Sequence, residues 1–265
     1  MKKPKIIVVM PAYNAGRTLQ KTIDDIPKEI VDEIIIVDDS SKDDTVAVAK
    51  KMARESSWLV EEAVNSESEE PKKTNVYKDR KVLLTVRRHD KNRGYGGNQK
   101  TCYELALKKG GDIVVMIHPD YQYDPKLIKH FVEFISEGYF DVMLGSRVRS
   151  RAETLKAGMP GYKYFANRAL TFFQNLVTGQ NLSEWHTGMR AYSGKVLEKV
   201  PFESFSDDFI FDTQMLFGII KLGFLIGDIP VPCRYFAEAS SINFRRSLKY
   251  GILTIWESLK YLLKK

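Results

Sequence analysis

The chain has 265 residues, 43% of them hydrophobic, with two cysteines and a formal charge of +7. This length permits one large globular domain, and two cysteines without metal-type spacing argue against a disulfide framework and favour a reducing cytoplasm. No stretch approaches the roughly 20 uncharged residues of a transmembrane helix, so we expect a protein that is soluble or lies at most on a membrane surface.

The first half of the chain alternates apolar segments with segments of helical periodicity. We predict strands at 5–10, 33–37, 82–86 and 112–117. Helices are predicted at 15–26, with Asn14 as its cap, at 43–53 and at 98–109. Strands that are apolar throughout and separated by helices are typical of a parallel sheet covered on both faces. We therefore expect an α/β fold.

The second half is predicted to add helices at 126–137, 162–176 and 209–222 and strands at 141–145 and 224–231. Residues 61–81 are charged and nearly free of aliphatic side chains, which predicts a flexible surface insertion. We expect one domain over 1–240, followed by a basic amphipathic segment over 241–265.

The positive charge is concentrated at the end of the chain. Residues 245–265 hold six basic residues and one acidic residue, which gives +5 of the total +7. The apolar side chains of a predicted helix at 248–263 fall on one stripe. A basic amphipathic helix favours an anionic partner such as a membrane surface or phosphate, and a solvated helix face is the alternative. Nucleic-acid binding is not expected, because no nucleic-acid motif accompanies the charge.

Polar clusters follow the predicted strands at 11–14, 38–41, 88–98 and 118–124. In parallel sheets, ligands bind at the edge formed by the carboxyl ends of the strands. A carboxylate at Asp38 or Asp39 can accept hydrogen bonds from a base or ribose, and helix capping is the alternative. The glycine loop at 92–98 lets the backbone approach a ligand closely, but it matches neither of the phosphate-binding glycine motifs.

The segment "HPDYQYDP" (118–125) is a candidate metal site. Asp120 and Gln122 offer oxygen ligands suited to a hard divalent cation, and His118 offers a nitrogen that suits manganese better than magnesium. A solvated turn is the alternative. Asp124 and Pro125 are expected to lead the chain into the next helix.

Charged side chains in the second half suggest further contacts. Three arginines at 147, 149 and 151 can form a pocket for phosphate or lie along an exposed edge. His186 has an aromatic neighbour and is expected to be structural rather than catalytic. Asp207 and Asp208 precede a helix, and they are either caps or a general base that activates an acceptor hydroxyl.

Taken in chain order, these segments resemble the family 2 glycosyltransferases, which have the GT-A fold. The resemblance is carried by "VVMPAYNAGRTL" (8–19), "EIIIVDDSSKDDT" (33–45), "NRGYGGNQKTCYELA" (92–106) and "DIVVMIHPDYQYDP" (112–125), with "LGSR" (144–147) and "HTGMRAY" (186–192) in support. The nearest branch is that of the polyprenyl-phosphate sugar transferases, such as dolichol-phosphate mannose synthase. The match is most specific over the first 125 residues.

The resemblance implies a nucleotide-sugar transferase and a role for individual residues. A UDP or GDP donor would be bound by Pro11, Ala12, Tyr13, Asn14, Asp38, Asp39, Asn92, Gly94 and Gly97. Asp120 and Gln122 would reach the diphosphate through Mg²⁺ or Mn²⁺, with His118 as a third ligand where an aspartate is usual. Arg147 would contact the acceptor phosphate, and His186 stands where an aspartate is common.

The implied reaction is an inverting transfer of the sugar to a polyprenyl phosphate, with Asp120 and Arg147 as catalytic residues. A phosphate acceptor is already anionic, so a general base is needed only for a sugar hydroxyl of a cell-envelope polysaccharide, for which Asp208 or Asp207 is the candidate. A non-catalytic nucleotide-sugar binding protein is a further alternative. The expected location is the cytoplasm or, peripherally, the inner face of the cell membrane.

Overall fold

The computed structural model describes residues 3–55, 59–63, 82–235 and 244–263. Within these residues, one sheet contains eight strands: β1 (Ile6–Ala12), β2 (Glu33–Asp38), β3 (Leu59–Ala63), β4 (Leu83–Arg88), β5 (Ile113–Met116), β6 (Val142–Ser146), β7 (Arg190–Ser193) and β8 (Ile226–Pro230). Their order across the sheet is β3-β4-β2-β1-β5-β7-β6-β8. Strand β7 is antiparallel to β5 and β6, and the other neighbouring pairs are parallel.

The helices of the described residues cover both faces of the sheet and one end of it. They are α1 (Gly16–Asp24), α2 (Thr45–Glu55), α3 (Gly94–Lys108), α4 (Ile128–Ser136), α5 (Arg151–Lys156), α6 (Gly161–Thr178), α7 (Gly194–Lys199), α8 (Phe211–Lys221) and α9 (Phe244–Leu263). Two short 3₁₀ turns lie at Pro125–Leu127 and Phe202–Ser204.

Alternate side chains of β1 enter two separate cores. Val8 and Met10 pack in the core that α1, α2 and α4 complete, and Ile7 and Val9 pack in the core that α3, α7 and α8 complete. Successive residues of a strand point to opposite faces, so a strand that is apolar throughout must be covered on both sides. This confirms the predicted α/β fold with a mixed, mainly parallel sheet.

Four elements were not predicted from the sequence: β3, β7, α5 and α7. The first of them begins at Leu59, so residues 61–63 of the predicted insertion belong to a strand, while 64–81 lie outside the described residues. Strand β7 begins with the charged Arg190, which hid its apolar pattern.

Two predicted helix starts are wrong. Ala15, not Asn14, precedes α1, and no side chain caps it; Asn14 has a φ of 51° and accepts a hydrogen bond from the Lys42 backbone N at 2.9 Å. Helix α3 begins at Gly94, so the glycines form its first turn instead of a preceding loop. A Cβ at Gly94, whose φ is +84°, would lie 2.7 Å from the carbonyl oxygen of Asp207. Only glycine allows this close approach.

The C-terminal helix α9 packs against α6 and α8. The apolar stripe that the sequence predicted is exposed, with Leu248, Ile252 and Leu262 each more than 40% accessible. Over the ranges described, no helix has the length and hydropathy needed to cross a membrane.

Candidate active site

One cavity of about 1070 Å³ lies at the carboxyl edge of the sheet, where the predicted polar clusters meet. Of the predicted site residues, the following line it: Pro11, Tyr13, Asn14, Asp39, Asn92, Gly94, His118, Asp120, Gln122, Arg147, His186 and Asp208. The opposite wall consists of side chains from α6 and α9. The sheet edge contributes mainly polar groups, and the helix pair contributes apolar side chains together with the cations Lys163 and Arg246.

Three residues predicted to bind the nucleotide do not line the cavity: Ala12, Asp38 and Gly97. Asp38 is almost fully buried, and its Oδ2 accepts a hydrogen bond from the Ser41 backbone N at 3.1 Å, which supports the loop after β2. The capping alternative for Asp38 and Asp39 is wrong, because α2 begins at Thr45, whose backbone N donates to Asp43.

Asp39 joins the end of β2 to the glycine turn. Its Oδ1 accepts a hydrogen bond from the Arg93 backbone N at 2.8 Å and lies 2.8 Å from Nδ1 of His89. Its Oδ2 accepts from the Gly94 backbone N at 3.0 Å, and Asn92 donates from Nδ2 to the Asp39 carbonyl at 3.1 Å. Backbone and side-chain donors together hold this carboxylate rigidly in the cavity wall.

Asp120 is presented by a tight turn after β5. Tyr121 has a φ of 57°, which ends the extended backbone and lets the Gln122 backbone N donate to Asp120 Oδ1 at 3.1 Å. The solvated-turn alternative is wrong, since Tyr121 and Gln122 are buried and Asp120 is half-buried. Asp124 accepts a hydrogen bond from the Lys126 backbone N at 3.1 Å and opens the following 3₁₀ turn, which confirms its expected role.

The donor set around Asp120 fits a sparsely ligated divalent cation. One carboxylate, the Gln122 amide and the His118 imidazole line the same wall of the cavity. In the part of the chain that the structure describes, no three His, Cys, Asp or Glu side chains are close enough to hold a metal ion. Mg²⁺ and similar ions often take one or two protein ligands and complete their shell with substrate phosphates and water.

His118 contacts a side chain that sequence reasoning missed. Its Nε2 lies 3.1 Å from the hydroxyl oxygen of Tyr95, which in turn donates to Asp212 Oδ2 at 2.8 Å. Asp212 is buried and pairs with Arg190, whose side chain is fully buried. A series of polar contacts therefore connects the buried Arg190 to His118 in the cavity wall.

Arg147 is held from behind by a buried acid. Its backbone N and Nε donate to Glu184 at 2.6 and 2.9 Å, and its Nη2 donates to the same carboxylate and to the His186 carbonyl. Although burial raises it, the pKa of Glu184 lies below its usual range because of the ion pair. Nη1 of Arg147 has no such partner among the described residues, and the side chain lines the cavity. Arg149 and Arg151 do not line it, so the alternative of an exposed edge holds for those two.

His186 is neutral at physiological pH. Burial lowers the pKa of His186 to about 3, and its Nδ1 lies 2.6 Å from the hydroxyl of Tyr250 in α9. This contact fastens the C-terminal helix to the cavity wall.

The two acids before α8 have different surroundings. Asp207 faces away from the cavity and pairs with Lys100 at 2.7 Å, while Asp208 lines the cavity and pairs with Lys249 of α9 at 3.2 Å. Burial of Asp208 opposes its ionisation, but hydrogen bonds from the Phe209 backbone N and from Lys249 outweigh it, so the pKa of Asp208 lies below its usual range. Such a carboxylate is a weak base.

Several other side chains that line the cavity were not predicted as site residues, among them Tyr95, Lys163, Asp212 and Tyr250. Lys163, Asp212 and Tyr250 belong to helices whose other residues gave no motif, and Tyr95 lies in the glycine segment, where only the backbone was expected to act. Lys163 offered a weak signal, as one of two cations in an aromatic helix. Burial and the nearby Arg147 lower the pKa of Lys163, so the two cations share one part of the cavity.

Comparisons with known proteins identify the family of this fold and site. The model of Glycosyl transferase family 2 matches residues 7–201. An uncharacterised protein of Methanocaldococcus jannaschii is 28% identical over 234 residues, covering 88% of this chain and 83% of that protein. The UDP-N-acetylglucosamine–dolichyl-phosphate N-acetylglucosaminyltransferase of Methanococcus voltae is 26% identical over 230 residues, covering 87% of this chain and 86% of the enzyme.

The fold is shared with solved structures of glucosyl-3-phosphoglycerate synthase from Mycobacterium tuberculosis. Its complex with UDP has a TM-score of 0.65 at 19% identity and covers 98% of this chain and 80% of that one. Its complex with Mn²⁺, UDP-glucose and phosphoglyceric acid has the same TM-score at 18% identity. This match covers 98% of this chain and 80% of that one. The likeness confirms the predicted GT-A architecture.

Proposed function

The chain belongs to Glycosyl transferase family 2, and from this premise we propose that it is a metal-dependent inverting enzyme that transfers a sugar from a UDP-linked donor to a polyprenyl phosphate. The catalytic domain comprises residues 1–240, and the basic amphipathic segment at 241–265 closes one wall of its cavity through α9. The observation that carries the acceptor assignment is that one cavity is lined both by the cations Arg147 and Lys163 and by apolar side chains of α6 and α9.

The donor nucleotide is bound at the sheet edge by Pro11, Tyr13, Asn14, Asp39, Asn92 and Gly94, all of which line the cavity. Ala12, Asp38 and Gly97 support this set without lining the cavity. UDP is favoured over GDP because the Methanococcus voltae relative uses UDP-N-acetylglucosamine and the structural neighbour binds UDP and UDP-glucose.

Asp120, Gln122 and His118 hold the divalent cation. When bound, the cation neutralises charge that develops on the leaving diphosphate. Asp120 is preorganised for this task, because the Gln122 backbone N fixes one carboxylate oxygen and leaves the other directed to the cavity. Mn²⁺ is present in complexes of the structural neighbour, which supports a divalent ion of this kind.

The acceptor phosphate is bound by Arg147 and Lys163. Glu184 fixes the guanidinium of Arg147 without occupying Nη1, so that one edge of a planar fork is presented to the cavity. Apolar side chains of α6 and α9, together with Met159, also line the same cavity: Met159, Ala166, Leu170, Leu248, Ile252 and Ile255. A phosphate attached to a hydrocarbon chain matches a cavity that offers both cationic and apolar side chains.

The chemistry needs little from a general base. A phosphate oxygen is anionic at neutral pH and attacks the anomeric carbon from the face opposite the diphosphate, which inverts the configuration. Asp208 is paired with Lys249 and has a lowered pKa, which makes it a poor base and supports phosphate over hydroxyl as the acceptor. Transfer to a glycan hydroxyl, with Asp208 as base, is the second candidate because Asp208 does line the cavity.

The exposed face of the helix pair contacts the membrane in which a polyprenyl phosphate resides. Helix α6 exposes Phe165, Phe172 and Leu176 on one side, and α9 exposes Trp256 and Leu263. Basic side chains at 245, 246, 249 and 260 accompany them. Amphipathic helices with cationic flanks lie in the plane of an anionic membrane surface.

A thermal-shift panel of UDP, GDP and CDP sugars, with and without Mn²⁺, tests the donor assignment. A ligand at about 100 times its Kd stabilises the folded state by about 2.7 kcal/mol, which corresponds to a rise in Tm of about 5–10 °C for a chain of this size. We expect this rise with a UDP-sugar. Unchanged melting with every nucleotide would remove the basis of the proposal.

A further inference from the structure

A chain of polar contacts ends at His118. Arg190 is fully buried and pairs with Asp212 at 3.3 Å, and its Nε donates to the Thr187 carbonyl at 2.8 Å. The other carboxylate oxygen of Asp212 accepts a hydrogen bond from Nε2 of Gln99 at 3.2 Å. These contacts fix the Asp212 carboxylate in the cavity wall as a hydrogen-bond acceptor.

The contacts of Tyr95 determine where the proton of His118 resides. A phenol has one proton, and Tyr95 donates it to Asp212 at 2.8 Å, because an ion-paired carboxylate can only accept. The remaining contact, 3.1 Å between the Tyr95 oxygen and His118 Nε2, must then be a hydrogen bond that Nε2–H donates. His118 is the Nε2–H tautomer.

Packing fixes the orientation of the imidazole ring. A Cβ on Gly188 would lie 2.8 Å from Cδ2 and 3.2 Å from Nε2 of His118, so the absence of a side chain there makes room for this edge of the ring. The ring also packs on Tyr95, with centroids 5.4 Å apart. Nδ1 lies on the opposite edge, makes no hydrogen bond to any described residue, and is not sealed from solvent. Because His118 lines the cavity, the Nδ1 lone pair is directed into it.

We propose that Tyr95, anchored by Asp212 and Arg190, is a positioning residue that fixes the tautomer of His118 and presents Nδ1 as a nitrogen ligand for a divalent transition-metal ion. The inference rests on the proposed function, in which Asp120 binds the same ion. A neutral nitrogen beside one carboxylate favours Mn²⁺ and its heavier neighbours over Mg²⁺, which prefers oxygen. The replacement of an acid by histidine therefore changes the preferred metal and does not leave a ligand missing.

The tautomer is measured without metal, nucleotide or turnover. In metal-free protein with ¹⁵N-labelled histidine, at an alkaline pH where imidazole is neutral, we expect His118 to show a protonated Nε2 and an unprotonated Nδ1. The chain has four histidines, and the signals missing from a His118→Gln variant identify this one.

Tyr95→Phe keeps the ring packing but removes the acceptor, so the signals should shift towards a mixture of tautomers. Tyr13→Phe, in the same cavity, should leave the tautomer unchanged. A protonated Nδ1 in the wild-type protein would overturn the proposal.

The ligand role is measured by pulsed electron paramagnetic resonance of Mn²⁺ bound in the presence of UDP. We expect coupling to one imidazole ¹⁴N, its loss in His118→Gln, and an affinity for Mn²⁺ about tenfold or more lower in Tyr95→Phe. The ratio of Mn²⁺ to Mg²⁺ affinity should fall in both variants. Bound Mn²⁺ and UDP without nitrogen coupling would contradict the ligand role alone. If Mn²⁺ does not bind with UDP at all, the proposed function fails together with it.

Discussion

The hydroxyl of Tyr250 lies 2.6 Å from Nδ1 of His186, a contact that joins the C-terminal helix to the wall of the cavity. The two rings meet edge to face with centroids 5.3 Å apart. The same hydroxyl lies 3.3 Å from Oγ1 of Thr213 in α8. Tyr250 thereby connects α9, which contributes apolar side chains to the cavity, with His186 in the cavity wall and with α8.

Replacing Tyr250 by phenylalanine leaves a buried nitrogen of His186 without its partner. We expect the free energy of unfolding to fall by about 1–2 kcal/mol, measured by urea denaturation, and amide exchange in α9 to accelerate. Tyr261→Phe, in the same helix α9, is the matched control. The Tyr261 ring stacks on Phe217 of α8, and its hydroxyl has no hydrogen bond to the residues described. Equal losses in the two variants would show that the contact contributes nothing specific.

The buried His186 makes stability depend on pH in a defined direction. Its pKa is lowered from 6.5 to about 3, so below pH 6.5 the unfolded chain binds a proton that the folded chain does not. Stability from this residue is complete above pH 6.5 and falls as the pH drops, by about 2 kcal/mol at about pH 5. Unfolding free energies between these pH values should fall more steeply in the wild type than in His186→Gln. Parallel curves would contradict this assignment.

Replacing Asp120 by alanine should abolish sugar transfer and leave the fold intact. The carboxylate supports charge neutralisation in the transition state, so we expect a loss of at least about 100-fold in turnover. Asp124→Ala is the control in the same segment: it removes a cap, costs about 1 kcal/mol of stability and leaves turnover near normal. Circular dichroism checks the fold, and near-normal turnover in Asp120→Ala would refute the metal assignment.

Flotation with liposomes containing anionic lipid tests the membrane face. Leu176 and Leu263 are 71% and 88% exposed on the helix pair, and serine at both positions should weaken binding about tenfold or more. Leu222 and Leu225 are 49% and 59% exposed near the opposite edge of the sheet, so the double serine variant there should bind as the wild type does. If both double variants float equally well, the helix pair is not the contact surface.

The parts of the fold that the sequence predicted are those that local pattern determines. The continuous apolar strands β1 and β2 predicted a covered parallel sheet, and the position of polar residues after each strand predicted one common edge. The short β7 was not predictable, because the burial of its leading Arg190 depends on tertiary contacts such as the pair with Asp212, which lies 22 residues away.

The candidate site was predicted where motif residues follow strands and was missed where tertiary contacts create it. Asp39 and Asp120 lie in the cavity wall as expected. Glu184 was not predicted, because its role comes from packing against Arg147, 37 residues earlier. Tyr95 stood inside a glycine segment that drew attention to its backbone, and its side chain acquires a role only through Asp212 and His118.

Transfer of labelled sugar from a UDP-sugar to polyprenyl phosphate by the full chain is the decisive test of whether the acceptor is a lipid-linked phosphate. We expect product in the wild type, near-normal product in Asp208→Asn, and an acceptor KM about tenfold higher in Lys163→Met, because a charge-assisted contact to the phosphate is lost. Transfer to a glycan hydroxyl alone, abolished in Asp208→Asn, would show that the acceptor is not a lipid-linked phosphate.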